Sequence, residues 1–140
     1  MIEILIVIAI LGLLASIVLV GLGGARAKAR DARRIADLRG VQNALEVYYA
    51  TKGEYSGAND WAGLKNDLIQ ASIGITQIPN DPVNNGDYIY KYDTDADKTH
   101  YLLSAKLEQD NIALKDDIDN GDRLAGLDLE CNDPIYCVQF

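Results

Sequence analysis

The stretch Met1-Ile2-Glu3-Ile4-Leu5-Ile6-Val7-Ile8-Ala9-Ile10-Leu11-Gly12-Leu13-Leu14-Ala15-Ser16-Ile17-Val18-Leu19-Val20-Gly21-Leu22 carries one charged side chain, Glu3, and none from Ile4 onward. As a helix, residues 4–22 span about 28 Å, close to the roughly 30 Å hydrocarbon thickness of a bilayer. A cleaved secretory signal is not expected, because that would place basic residues ahead of a shorter apolar core and a small-residue cleavage site behind it. Here an acid precedes the core, and the apolar pattern runs on into more helix. The spacing therefore predicts a hydrophobic helix held in lipid or inside a polymer.

Outward from that stretch, helical character continues to about Thr51, with Gly53 as the stop. On a helical wheel Ala25, Ala29, Ala32, Ala36 and Gly40 form a narrow stripe of small residues. Ile35, Leu38, Val41, Leu45, Tyr48 and Tyr49 form a broad stripe nearly opposite. The broad stripe predicts a head domain covering only the lower half of the helix. The small stripe predicts close approach of another helix, unless the alanines serve only helix propensity. Gly21, Gly23 and Gly24 each cost a helix about 1 kcal/mol relative to alanine and mark a hinge candidate. Arg26, Lys28, Arg30, Arg33, Arg34 and Arg39 follow and read as a solvated face. Interleaved Asp31 and Asp37 argue against nucleic-acid binding, and no specific nucleic acid is expected.

The 140 residues amount to one modest core, with a formal net charge of −8. Residues 1–40 hold six basic and three acidic groups, a net of +3; residues 41–140 hold seven and eighteen, a net of −11. Such an acidic head excludes a general binder of nucleic acid or anionic membranes. Cys131 and Cys137 are the only cysteines and His100 the only histidine, so a zinc site lacks ligands. A small disulfide loop in an oxidising compartment is expected, which places the head outside the cytoplasm. The basic cluster after the apolar run points the other way by the positive-inside rule.

The chain divides into a helix, 1–53 (apolar 1–24, amphipathic 25–53), and a globular head, 54–140. In the head, Asn59 or Asp60 is placed to cap a short helix with Trp61, Leu64 and Leu68 on one face. Pro79 and Pro82 mark a loop. Tyr88, Tyr90 and Tyr92 predict a strand, Thr94 to Lys98 an acidic turn, and Tyr101, Leu103, Ala105 and Leu107 its antiparallel partner. A third strand is expected around Ile135 to Gln139. One sheet face should pack on the broad helix stripe, giving an α+β fold: a long amino-terminal helix on a small antiparallel sheet, shaped like a ladle. Asp93, Asp95 and Asp97 alternate as calcium ligands do but lack the glycine and terminal glutamate of an EF-hand loop. Asp117, Asp119 and Asp122, with Gly121 allowing a sharp turn, are the better calcium candidate; a solvated acidic loop is the alternative. No cofactor is required. His100 has no nucleophile or relay at recognisable spacing, so no enzyme is expected.

The segment from Met1 through Ala15 resembles the start of a type IV pilin or a type II secretion pseudopilin. The pattern continues to about Tyr55. More loosely, Gly53-Glu54-Tyr55, then Ile78-Pro79-Asn80-Asp81-Pro82, then the tyrosine-rich hairpin follow the order of short pilin heads and of the major pseudopilin. The resemblance implies a homopolymer of identical subunits, with Ile4, Ile6, Val7, Ile10, Leu11, Leu14 and Val18 in the filament core. It also implies residence in inner-membrane lipid before assembly, and partnership with pilus assembly machinery and a prepilin peptidase. The acidic loop is similar to the calcium site of major pseudopilins. Aligned on Glu3, the chain departs from the family in lacking the leader, the peptidase's glycine and the first two mature residues. Processing and amino-terminal methylation are therefore not carried over. An ionised carboxylate in lipid is costly unless paired, and the nearest base along the chain is Arg26. Glu3 is expected to pair with a neighbouring subunit's amino terminus; resting at headgroup level is the cheaper alternative. The expected role is a surface pilus subunit, with adhesion, motility and DNA uptake all left open; alternatives are a secretion pseudopilin or a membrane-anchored binding domain that never polymerises.

Overall fold

The computed structural model describes residues 2–119 and 121–140; within the helix, the side chains of 17–22 are not described. Ile2–Lys52 forms one α-helix, α1, of 51 residues, about 76 Å long. No proline occurs before Pro79, so nothing removes a helical N–H along its length. Gly53 ends it: its φ of +80° suits the left-handed conformation, and its N–H donates to the Tyr49 carbonyl at 2.7 Å. The helix runs uninterrupted past Gly23 and Gly24. A Cβ would meet nothing within 4 Å at Gly23 and only the Gln109 amide at Gly24, so packing does not demand glycine at either place. Gly21 and Val18, named above as hinge and core residues, lie outside the described residues.

Trp61–Gln70 forms α2, capped by Asp60, whose carboxylate accepts from the Gly63 N–H at 2.7 Å. Three strands follow, β1 (Lys91–Thr94), β2 (Tyr101–Lys106) and β3 (Ile135–Gln139), all antiparallel with β2 central. The fold is thus α+β, a long amino-terminal helix with a small antiparallel sheet, as expected. The first strand starts later than the tyrosine alternation predicted. Gly86, at φ +60°, and an isolated Asn85–Tyr88 bridge turn the chain, and ladder pairing begins only at Lys91 opposite Ser104.

The main core joins Leu38, Val41 and Leu45 of α1, Leu64 and Leu68 of α2, and Tyr90, Tyr92, Tyr101 and Leu103 of the hairpin. Both faces of β2 are buried, from Tyr101 through Ala105. Leu102 packs behind the sheet with Leu127, Cys131 and Cys137, so the carboxyl-terminal segment covers the sheet face turned away from α1. Alternation alone could not announce this, because the covering residues arrive from far along the chain.

Candidate functional site

Two halves of α1 meet different surroundings. From Ile2 to Leu14 the large apolar side chains stand in the open: Ile4 is 67% exposed, Ile8 57% and Leu14 54%. Ile4, Leu5, Ile6, Val7 and Ile8 are consecutive, so exposure extends around the whole circumference rather than along one stripe. A helix apolar on every side is normally buried in protein or lipid. Glu3 sits in the first turn of this segment, exposed, and favourably placed at the positive end of the helix dipole. Ala25, Ala29, Ala32, Ala36 and Gly40 are exposed as well, so among the described residues no helix packs against the stripe of small residues.

Among the described residues no helix is long and apolar enough to cross a membrane. The described apolar part, 2–16, rises only about 22 Å, short of a bilayer's roughly 30 Å. A spanning length for 4–22 therefore remains a reading of the sequence.

The lower half is anchored. Arg34 was expected on a solvated face; instead its side chain is fully buried. Its Nε and Nη2 grip both oxygens of Asp81 at 2.6 and 3.0 Å, and its Nη1 reaches Asp31 and Glu108, each at 2.7 Å. Glu108 also takes a fork of hydrogen bonds from Arg30. The spare lone pairs are filled by backbone: Asp31 accepts from the N–H groups of Glu108 and Gln109, and Asp81 from those of Val83 and Asn84. Tyr88 places its ring 4.9 Å from the guanidinium carbon. Burial pushes the Arg34 pKa down, but the bonds from Asp81, Glu108 and Asp31 outweigh it and raise the net value. The Arg30 hydrogen bond, opposed by desolvation and helped by Arg34, holds Glu108 down to about 2. This cluster ties α1 to the loop before the hairpin and to the turn after β2.

A signal for the cluster was present. Ala27, Asp31, Arg34, Leu38, Val41 and Leu45 are all buried and follow one another at alternating intervals of four and three. Asp31 and Arg34 thus continue the core stripe upward, and hydrophobicity alone hid them. Arg26, Lys28, Arg33 and Arg39 are exposed, as expected of a solvated face.

Cys131 and Cys137 are joined in a disulfide, as expected, and both are buried. Among the described residues, which leave out Asn120 in the middle of the acidic loop beside them, no group of three His, Cys, Asp or Glu side chains is placed to hold a metal ion. Asp117 turns inward, where its Oδ2 accepts the Cys137 N–H at 2.8 Å, while its Oδ1 is buried without a hydrogen-bond partner. Burial, opposed by that N–H and reinforced by Asp119 and Asp133, pushes its pKa up to about 6. The Asp119 carbonyl accepts from the Asp122 N–H in a tight turn, a backbone use of the pair. Asp93 and Asp95 are likewise engaged: Asp93 accepts from the N–H groups of Thr94 and Asp128, and Asp95 from Thr99 and His100. His100 is part-exposed with its Nδ1 3.2 Å from Asp95. Compared with known proteins, the chain matches no protein-family model, no curated protein and no solved structure.

Proposed function

We propose that this chain is a non-catalytic structural subunit that polymerises through its amino-terminal helix into a helical filament of the type IV pilus kind. It would wait in inner-membrane lipid and end in a cell-surface fibre. The observation that carries the reading is the exposed apolar circumference from Ile2 to Leu14, attached by one continuous helix to a folded acidic head. Moving such a helix from lipid to neighbouring helices is nearly neutral in hydrophobic terms, so packing and polar pairing set the register. The bare alanine stripe supplies close approach, and Glu3 supplies one charge to be balanced by a neighbour's amino terminus. The buried ion cluster gives the head a fixed attachment to the shaft, which a regular fibre needs. The secretion-pseudopilus alternative draws on the acidic loop, where Asp117 accepts the Cys137 N–H.

The test is reconstitution of the full chain from detergent, followed by electron microscopy and sedimentation. Filaments are expected, and Glu3→Ala should abolish or shorten them with the head's unfolding curve unchanged. A solitary species that stays soluble after detergent removal, or filaments indifferent to Glu3→Ala, would overturn the proposal.

A further inference from the structure

While α2 buries Leu64 and Leu68, its other face carries Trp61, Lys65, Asn66 and Ile69 into one wall of a cleft of about 700 Å³. The chain from 89 to 92 makes the opposite wall. The floor is apolar and preset. Trp61 donates from Nε1 to the Pro79 carbonyl at 3.1 Å and sets its ring edge-on to Tyr90 at 5.2 Å, while Ile69 and Ile89 remain 39% and 41% exposed. The rim is rich in amides: four of the chain's nine asparagines line this one cleft. Among the described residues the side chains of Asn59, Asn66 and Asn84 have no hydrogen-bond partner, so each offers both donors and an acceptor. The charge is inverted relative to the head. Lys65 and Lys91 line the cleft against one acid, Asp60, and that carboxylate is used as the cap of α2.

We infer that this cleft binds a saccharide bearing a carboxylate. Its ring C–H face lies on the Trp61–Ile89 floor, its hydroxyls meet the free asparagines, and its acid meets Lys91 and Lys65. A hydroxyl is at once donor and acceptor, and a neutral carboxamide matches it in both senses. A purely apolar ligand would strip water from those amides without replacing their hydrogen bonds. A phosphate would look for the open N-terminus of α2, where the Asp60 carboxylate already sits. The inference is independent of whether the chain polymerises.

Trp61 is the only tryptophan, so its indole N–H is a single reporter in the cleft. The full chain, held in phosphocholine micelles that carry no sugar headgroup, would be titrated by NMR with sialyllactose and with lactose. Sialyllactose should shift the Trp61 signal saturably and bind about tenfold tighter than lactose, the increment of one charge-assisted hydrogen bond. Lys91→Gln should remove most of that preference. Asn66→Ala, at an exposed position, should weaken both sugars several-fold with the remaining spectrum intact. Absence of a saturable shift, equal affinity for the two sugars, or a response untouched by both substitutions would overturn the inference.

Discussion

The same helix solves two different problems at its two ends. Between residues 27 and 45 it is wrapped by the head, and the burial includes charges: Asp31 and Arg34 lie in the core alongside Leu38 and Val41. Between residues 4 and 15 it is apolar all round, and its side chains stand exposed among the described residues. A globular protein would not normally leave such a surface wet, whereas the lower half shows that this sequence can bury even guanidinium and carboxylate groups when it closes a surface. The contrast teaches that the lower half is closed by contacts within the described chain, whereas the upper half keeps its apolar surface uncovered by it.

The sharpest way to break this contrast is at Arg34. Replacing Arg34 by Met leaves Asp31 and Asp81 buried without their cation, and the head should lose about 3–5 kcal/mol. Urea unfolding followed by Trp61 fluorescence reads this directly; a loss under about 1 kcal/mol would mean that the cluster does not anchor the shaft. Removing the disulfide with Cys131→Ser and Cys137→Ser should cost roughly 2 kcal/mol, the low end for a short loop, in the same assay.

Asp117 sharpens the comparison through pH. Its folded pKa, about 6, lies above the ordinary carboxylate value, so its contribution is fully favourable below the unfolded pKa near 3.8 and is lost as pH rises through 6. Asp117→Asn should therefore stabilise the protein by the order of 1 kcal/mol at pH 7–8, after solvent screening, and by nothing near pH 3. Glu108 has the opposite sign. Held at about 2, it stabilises above its unfolded pKa near 4.5, and that support fades as pH falls toward 2. A stability profile of wild type and variant over pH 2–8 checks both slopes. The smallest expected effect is at the other end of the molecule. Ile10→Ser, at a side chain 55% exposed, should change head unfolding by under about 0.5 kcal/mol while impairing filament assembly. A large loss of head stability would show that the upper helix has an intramolecular partner.

Much of this was legible along the chain. The helix and its stop at Gly53, the capping of α2 by Asp60 and the pairing of the only two cysteines all depend on residues a few positions apart. Asp117, Asp119 and Asp122 look alike in sequence, yet Asp117 is set apart in the fold, where its Oδ2 accepts the Cys137 N–H.

Local periodicity decided that a long helix would emerge and which of its halves could bury large side chains, because i to i+4 geometry is intrinsic to the backbone. The four-and-three spacing puts Arg34 on the core stripe, but tertiary structure decided that its charge would leave solvent. Its partners Asp81 and Glu108 stand 47 and 74 positions away. A buried charge is tolerable only when carboxylates that distant arrive with every lone pair answered, and no local pattern records that arrival.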